Sequence, residues 1–375
     1  MSDSTLSRRG FLKRAGIGLA GAGAMLEATW SAAQEAAPEP EARNQRDTMR
    51  YRVLGRTNLL VSELSMGGQF LTSAVLGSAL DAGVNLLHLS VEYPGAFDGA
   101  APVLKDRRKE VFLALKGRPG GAWYEFDEWL NALNTDHADF IFHPTISADE
   151  ARDTNGRIRG QFDKLRQAGK ARFLGLTCHN NVVEVSRAGV EAGHWDAIMP
   201  RYGAALRQPL QPIITQAAQK RIGVIAMKSL QAAGGRRNWT TAFQTALDHP
   251  GLTTVLKGLP NFELLEQLSA AVMERPTEEA RRELERYVAE HRSSTCAMCS
   301  ACAGCPQGVA IEDTLRCAFY YGEELGQHDY ARHVYASLPR ERTVLACADC
   351  GHCEAVCSHR LAVRQMLHKA HAVLA

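Results

Sequence analysis

A chain of 375 residues can hold one large domain and a small one. Its 43 basic and 41 acidic residues leave a net charge of +2, which argues against nucleic acid as a partner. Nine of the ten cysteines follow residue 295, so the thiol chemistry belongs to a separate C-terminal module.

The chain opens with Ser7-Arg8-Arg9-Gly10-Phe11-Leu12-Lys13, then a glycine-rich, mildly apolar run from Ala15 to Trp30. Ser31-Ala32-Ala33 offers a small-residue cleavage site. Residues 1–33 therefore resemble a twin-arginine signal peptide. A basic tail is the plainer alternative, disfavoured because the arginine pair, Phe-Leu-Lys and the apolar run coincide. The run is short and contains Glu27, which makes it a poor membrane-spanning helix. Residues 34–48 are a polar linker containing prolines. The resemblance implies export of an already folded protein by the twin-arginine translocase to a periplasmic or other extracytoplasmic location. The signal is then either cleaved or kept as an anchor.

Residues 49–275 alternate short apolar runs with amphipathic ones. Tyr51 to Ser62 reads as a hairpin turning at 55–58. Eight strand candidates follow: 63–68 (ELSMGG), 84–90 (VNLLHLS), 110–116 (EVFLALK), 138–144 (ADFIFHP), 171–179 (ARFLGLTCH), 196–202 (DAIMPRY), 222–228 (IGVIAMK) and 253–259 (TTVLKGL). Each is apolar and bounded by Gly, Pro or charge, as strands covered on both faces should be. The clearest helix is 148–169, with Ile158, Phe162 and Leu165 at helical spacing. Eight such units predict a (β/α)8 TIM barrel. Residues 276–293, rich in Glu and Arg, read as a solvated linker helix.

YRVLGRTNLLVSELSMGG, beginning at Tyr51, resembles the opening of the aldo/keto reductases. Gly83-Val-Asn85, the run from Val111 to Lys116, Asp139 to His143 and Gly223 to Lys228 resemble later landmarks of that family in the same order. The likeness covers roughly 50–275. It implies a tetrad of Asp, Tyr, Lys and His at strand ends, in which the tyrosine protonates a carbonyl as hydride arrives from NADPH. Tyr93 matches the tyrosine, Lys116 the lysine and His143 the histidine; the aspartate position holds His88. An imidazole supplies no fixed negative charge, so Lys116 either stays cationic without a counter-ion and lowers the Tyr93 pKa, or loses its proton. Taken singly, these residues have ordinary readings as loop, strand-end and buried side chains. Their succession at three strand ends favours a site.

The cofactor pattern departs further. Thr177-Cys178, Met199 and Pro260 stand where the family has Ser-Asn, Gln and Arg. Lys228, Lys257, Gly258 and Asn261 remain near the phosphate site usual in barrels, as the residues left to hold NADP(H) if that cofactor binds.

Residues 294–375 carry two thiol runs. Cys347, Cys350, Cys353 and Cys357 follow the C-x2-C-x2-C-x3-C spacing of bacterial ferredoxins, with Ser358 where proline is common. Cys296, Cys299, Cys302 and Cys305 recur every third residue and end at Pro306. The pattern implies a small ferredoxin-like domain with two 4Fe-4S clusters. In ferredoxins the fourth cysteine of each run serves the other cluster. One cluster would take Cys296, Cys299, Cys302 and Cys357, the other Cys347, Cys350, Cys353 and Cys305. Two zinc sites of four cysteines each would also use eight thiols, but a third thiol at x2 spacing is redundant in a zinc knuckle. Cys178 and Cys317 read as small buried residues.

Together these features predict an exported iron–sulfur oxidoreductase acting on a small carbonyl or alcohol substrate. A redox partner protein or quinone-linked donor would exchange electrons with it. The alternative is a non-catalytic electron-transfer or assembly subunit whose barrel is degenerate.

Overall fold

The computed structural model describes residues 38–375, apart from 119–122, 146, 180, 231–232, 234, 292–293, 295, 297–298, 300 and 323–325. The proposed signal, with Arg8 and Arg9, lies outside the described residues. Residues Pro40–Ala375 form one compact unit. Among the described residues no helix is long and apolar enough to cross a membrane.

Eight parallel strands close into a barrel: β4 (Leu64–Gly67), β5 (Leu86–Ser90), β6 (Phe112–Lys116), β7 (Ala138–Thr145), β8 (Ala171–Cys178), β9 (Ala197–Pro200), β10 (Gly223–Met227) and β11 (Thr254–Gly258). β11 pairs with β4 to complete the ring, Leu256 opposite Ser65. All eight candidate runs are strands, in the expected order. Before them, β1 (Glu41–Ala42) pairs with β3 (Leu59–Ser62), and β2 (Tyr51–Val53) forms the expected antiparallel hairpin with β3. The hairpin's Leu54, Leu59 and Val61 share one buried cluster with Phe112, Phe140, Phe142 and Ile225 inside the barrel, so the hairpin plugs one end.

Two glycines are required by close approach. A Cβ at Gly175 would come within 2.6 Å of three Phe142 ring atoms, so only glycine lets that ring fill the barrel. At Gly55 a Cβ would lie 2.3 Å from the Gly223 nitrogen, and the residue has φ +55°.

The stretch 148–169 is two helices, α4 (Ala148–Arg152) and α5 (Arg157–Gln167), rather than one. Asp153 breaks it by turning to φ +43°. Its buried carboxylate then accepts the backbone N–H of Ile158 and Arg159, at 3.0 and 2.9 Å, and so caps the second helix. The other helices of the barrel layer are α1 (Ser73–Asp81), α2 (Ala96–Arg107), α3 (Phe126–Ala132), α6 (Val182–Ala192), α7 (Arg207–Gln219), α8 (Arg236–Leu247) and α9 (Phe262–Met273).

The linker helix is α10 (Glu278–Glu290), capped by Thr277 and tied to the barrel layer by Arg281–Asp248 at 2.5 Å. Then follow α11 (Ile311–Tyr321), α12 (His328–Ala336), α13 (His352–Ala355) and α14 (Val363–Leu374). Among the described residues this region has no strand, so its likeness to ferredoxins rests on thiol spacing. Cys317, Tyr320, Tyr335 and Leu374 belong to the same hydrophobic core as the barrel's outer layer. Val309, Ile311, Val344, Leu361 and Leu367 form a second small core, against which six of the eight clustered cysteines pack or within which they lie.

Candidate active site at the barrel mouth and two cysteine cavities

Side chains alternate along a strand, so inward rows can be read from the core. On β5, Leu86 packs inside the barrel and Leu87 outside, which turns His88 inward. On β6, Phe112 and Ala114 point in, and Lys116 continues that row. Both residues line a cavity of about 70 Å3 at the strands' C-terminal ends, with Tyr93, Thr177, His179, Lys228 and Lys257. The sequence expectation for Tyr93, Lys116 and His88 is thus met in space.

His143 is not among them. On β7 the inward residues are Phe140 and Phe142, so the odd positions face the helices. His143 Nε2 lies 2.9 Å from the Glu150 carboxylate, and its ring sits near Trp123 and Trp195, with centroids 6.0 and 6.4 Å away. A displacement of one residue along a strand moves a side chain to the other face, so position near a strand end did not by itself place His143 in the cavity. A histidine that does face the cavity is His179, on the inward row of Phe173, Gly175 and Thr177. That row was visible in ARFLGLTCH, because the alternation continues through the final residue.

Lys116 also has a counter-ion. Glu92 Oε2 lies 2.5 Å from its Nζ, so the two outcomes expected from a missing aspartate do not arise. Glu92 precedes Tyr93 in the turn after β5 and reaches across to β6, a contact that no spacing signals. The Lys116 side chain is 5 % exposed and that of Glu92 37 %. Breaking a buried pair costs about 3–5 kcal/mol, and the partial exposure reduces this to about 1–2 kcal/mol. Glu92→Gln should lower stability by that amount in denaturant unfolding; an unchanged midpoint would show that the pair contributes nothing.

The Lys116 ammonium lies 5.9 Å from the Tyr93 ring centroid. Burial, and then the neighbours Tyr320, Tyr330 and Glu92, push the Tyr93 hydroxyl well above its ordinary value. Tyr93 therefore keeps its proton at neutral pH and is a donor, contrary to the expectation of a depressed pKa. His88 is pushed down to about 3 by burial and by Lys116, so it is a neutral imidazole. Its Nε2 is buried without a hydrogen-bond partner. Burial, then Lys228 and Lys116, hold His179 neutral as well.

Of the proposed phosphate residues, Lys228, Lys257 and Gly258 line the cavity. Asn261 does not: its side chain accepts the Leu264 N–H at 3.0 Å and caps α9. Glu263 occupies the first turn of that helix and pairs with Arg236 at 3.1 Å. This helix N-terminus is satisfied from within and carries an acid, so it is poorly suited to phosphate.

Helix α11 roofs the cavity with Phe319 and Tyr320. The Tyr320 hydroxyl accepts from Lys228 Nζ at 3.1 Å, and Phe70 packs edge-on against Tyr320 and Tyr330. At the helix's other end Glu312 forms an ion pair with the buried Arg201, just past β9.

Glu312 and Leu315 of the same helix line a second cavity, together with Cys296, Cys299, Cys302 and Cys357. A third is lined by Cys305, Cys347, Cys350 and Cys353. The two thiol sets are those expected from ferredoxin spacing, with the fourth cysteine of each run exchanged. All ten cysteines are free. Cys178 and Cys317 are buried, and burial pushes their thiols up to about 12 and about 11, which makes both unreactive.

No protein-family model and no curated protein sequence matches the chain. Solved structures do resemble it. Two are of Pseudomonas aeruginosa proteins assigned as aldo-keto reductases, each with a TM-score of 0.51. One is 20 % identical over 60 % of this chain and 94 % of its own, the other 22 % over 59 % and 93 %. The holo form of aldo-keto reductase AKR11C1 from Bacillus halodurans has a TM-score of 0.53 and 20 % identity, over 64 % of this chain and 96 % of its own. The barrel is therefore that of the aldo-keto reductase fold.

Proposed function

We propose that the protein is an iron–sulfur oxidoreductase that interconverts a small carbonyl compound and its alcohol in the barrel cavity. The observation that carries this reading is the placement of α11. One face of that helix roofs the cavity holding Tyr93, Lys116, His88 and His179, while its first turns wall the cavity of Cys296, Cys299, Cys302 and Cys357. Glu312 and Tyr320 are eight residues apart, roughly 12 Å along a helix axis.

The thiol sets fit iron–sulfur clusters. Each cavity offers four cysteines, and Leu315, Leu361 and Val363 give the first an apolar wall. Bound clusters would supply one-electron transfer, and two such transfers with two protons convert C=O to CH–OH. Tyr93 gives one proton to the carbonyl oxygen, and solvent supplies the second, to the carbon. Lys116, fixed by Glu92, stabilises the negative charge that grows there and on the phenol. Neutral His88 offers an unused ring nitrogen to the same oxygen.

A nicotinamide dinucleotide does not fit this arrangement. The cavity of about 70 Å3 falls below the roughly 300–1,000 Å3 of ordinary small-molecule sites, and the nearby helix N-terminus is filled by Asn261 and Glu263. The proposed assignment of the chain is a signal over 1–33, a linker, a barrel over 49–275, a helical connection and a cluster domain over 294–375. Export already folded would let clusters assemble in a reducing compartment first.

Reduction of the anaerobic protein with dithionite, followed by addition of small aldehydes and ketones, tests the activity. Re-oxidation of the clusters, with one alcohol formed per two electrons, is expected. Clusters that stay reduced with every compound would favour the non-catalytic electron-transfer or assembly subunit, which the outward His143 otherwise suits.

A further inference from the structure

The charges around the barrel cavity do not balance. Lys116 is matched by Glu92, Arg201 by Glu312, and Arg316 by Asp313 at 2.7 Å. Lys228 and Lys257 remain. Among the described residues neither has a carboxylate within ion-pair distance. Lys228 Nζ donates to the Tyr320 hydroxyl, and Lys257 lies 5.2 Å from the Trp239 ring centroid. Lys228 takes the left-handed conformation, with φ +55°, at the turn after β10, a backbone cost usually met at functional positions. His88 adds a buried ring nitrogen without a partner in the same cavity.

Two cations held against apolar rings beside an unpaired polar atom call for a ligand with negative charge. Resting on the proposed carbonyl chemistry, we propose that the substrate is a compact oxo acid whose carboxylate is held by Lys228 and Lys257 while its oxo group faces Tyr93 and His88. The cavity volume suits a molecule of few heavy atoms. Burial pushes Lys257 down to about 8 and Lys228 well below its ordinary value, which disfavours their charged forms in the empty cavity; an arriving carboxylate would offset that burial and favour the ammonium forms. The lysines that sequence spacing assigns to a cofactor phosphate would thus serve the substrate, for which a cavity of about 70 Å3 is better sized than for a dinucleotide.

Calorimetric titration of the oxidised, cluster-loaded protein with pyruvate and with acetone tests this without turnover. The two probes share a ketone and differ in the carboxylate. Pyruvate should bind and acetone should not. Lys228→Gln and Lys257→Gln should each weaken pyruvate at least tenfold, and Lys228→Arg should recover part of the loss. Unchanged iron content and circular dichroism show that the variants are folded; if Lys228→Gln fails to fold, Lys257→Gln and the pyruvate–acetone contrast still decide. Equal binding of the two ketones, or pyruvate binding indifferent to both lysines, would overturn the proposal. Inorganic phosphate binding as tightly as pyruvate with the same lysine dependence would also overturn it, since the site would then be a general oxyanion site. The outcomes separate from those of the activity. Pyruvate binding without re-oxidation of reduced clusters defeats only the proposed reaction. Re-oxidation by neutral ketones as fast as by oxo acids defeats only the anion site.

Discussion

Tyr93→Phe is expected to lower carbonyl turnover by about 10²–10⁴-fold, the span usual for loss of a general acid. The ring stays, so the packing against the roof is kept and only the proton donor goes. Tyr93 is suited to the role because burial and the neighbouring Tyr320, Tyr330 and Glu92 keep it protonated, while Lys116 stands 5.9 Å from its ring centroid to favour charge on the oxygen as the proton leaves. Cluster content must be unchanged in the variant, so that lost iron is not counted as lost chemistry. His143→Ala provides the contrast. That ring faces the helix layer and contacts Glu150 and Trp195, so its removal should affect stability more than the chemical step. Full activity in Tyr93→Phe would remove the barrel cavity from the reaction.

The largest stability effect should come from Asp139, at the other end of the barrel. Its side chain is fully buried, and its carboxylate meets Arg43 at 3.1 Å, Arg108 at 3.3 Å and Arg172 at 2.7 Å, and accepts the Leu113 N–H at 2.8 Å. Asp139→Ala leaves three guanidinium groups converging on a void and should cost about 3–5 kcal/mol in denaturant unfolding. Burial alone would raise the Asp139 pKa; Arg43, Arg108, the Leu113 N–H and Arg172 outweigh it and hold the group below its ordinary value. A carboxylate depressed in the folded state stabilises above its unfolded pKa, about 3.9, and that contribution fades as pH falls through the folded value. The gap between wild type and variant should therefore be full at neutral pH and narrow below about pH 4. A gap independent of pH would show that lost packing, not charge, sets the cost.

The barrel was legible because strands covered on both faces are continuous apolar runs, and each of the eight stands out between polar helices. The hairpin followed from the turn at 55–58, but its place as a plug of the barrel did not. The break at Asp153 was missed because apolar spacing runs through it; a side chain capping the next helix leaves no mark in periodicity. Site residues divided on a similar line. Tyr93 and Lys116 follow their strands at distances that leave little choice of face. His143 was misplaced because similarity to a family landmark does not fix the inward row, whereas the neighbours Phe140 and Phe142 do. Glu92 was invisible, since its partner lies 24 positions away on the next strand. The cysteines were read most completely. The cavities group the thiols as the resemblance to ferredoxin spacing implied, with Cys305 and Cys357 exchanged between the runs.

The proposal that the chain carries two iron–sulfur clusters is tested most directly by metal analysis of anaerobically purified protein. About eight iron and eight acid-labile sulfide per chain are expected. Cys302→Ser and Cys357→Ser should each disturb the same four-iron centre, while Cys305→Ser disturbs the other, because the cavities group the thiols that way. Stoichiometric zinc with no labile sulfide, or a Cys357→Ser variant whose loss falls on the centre of Cys347, Cys350 and Cys353, would contradict it.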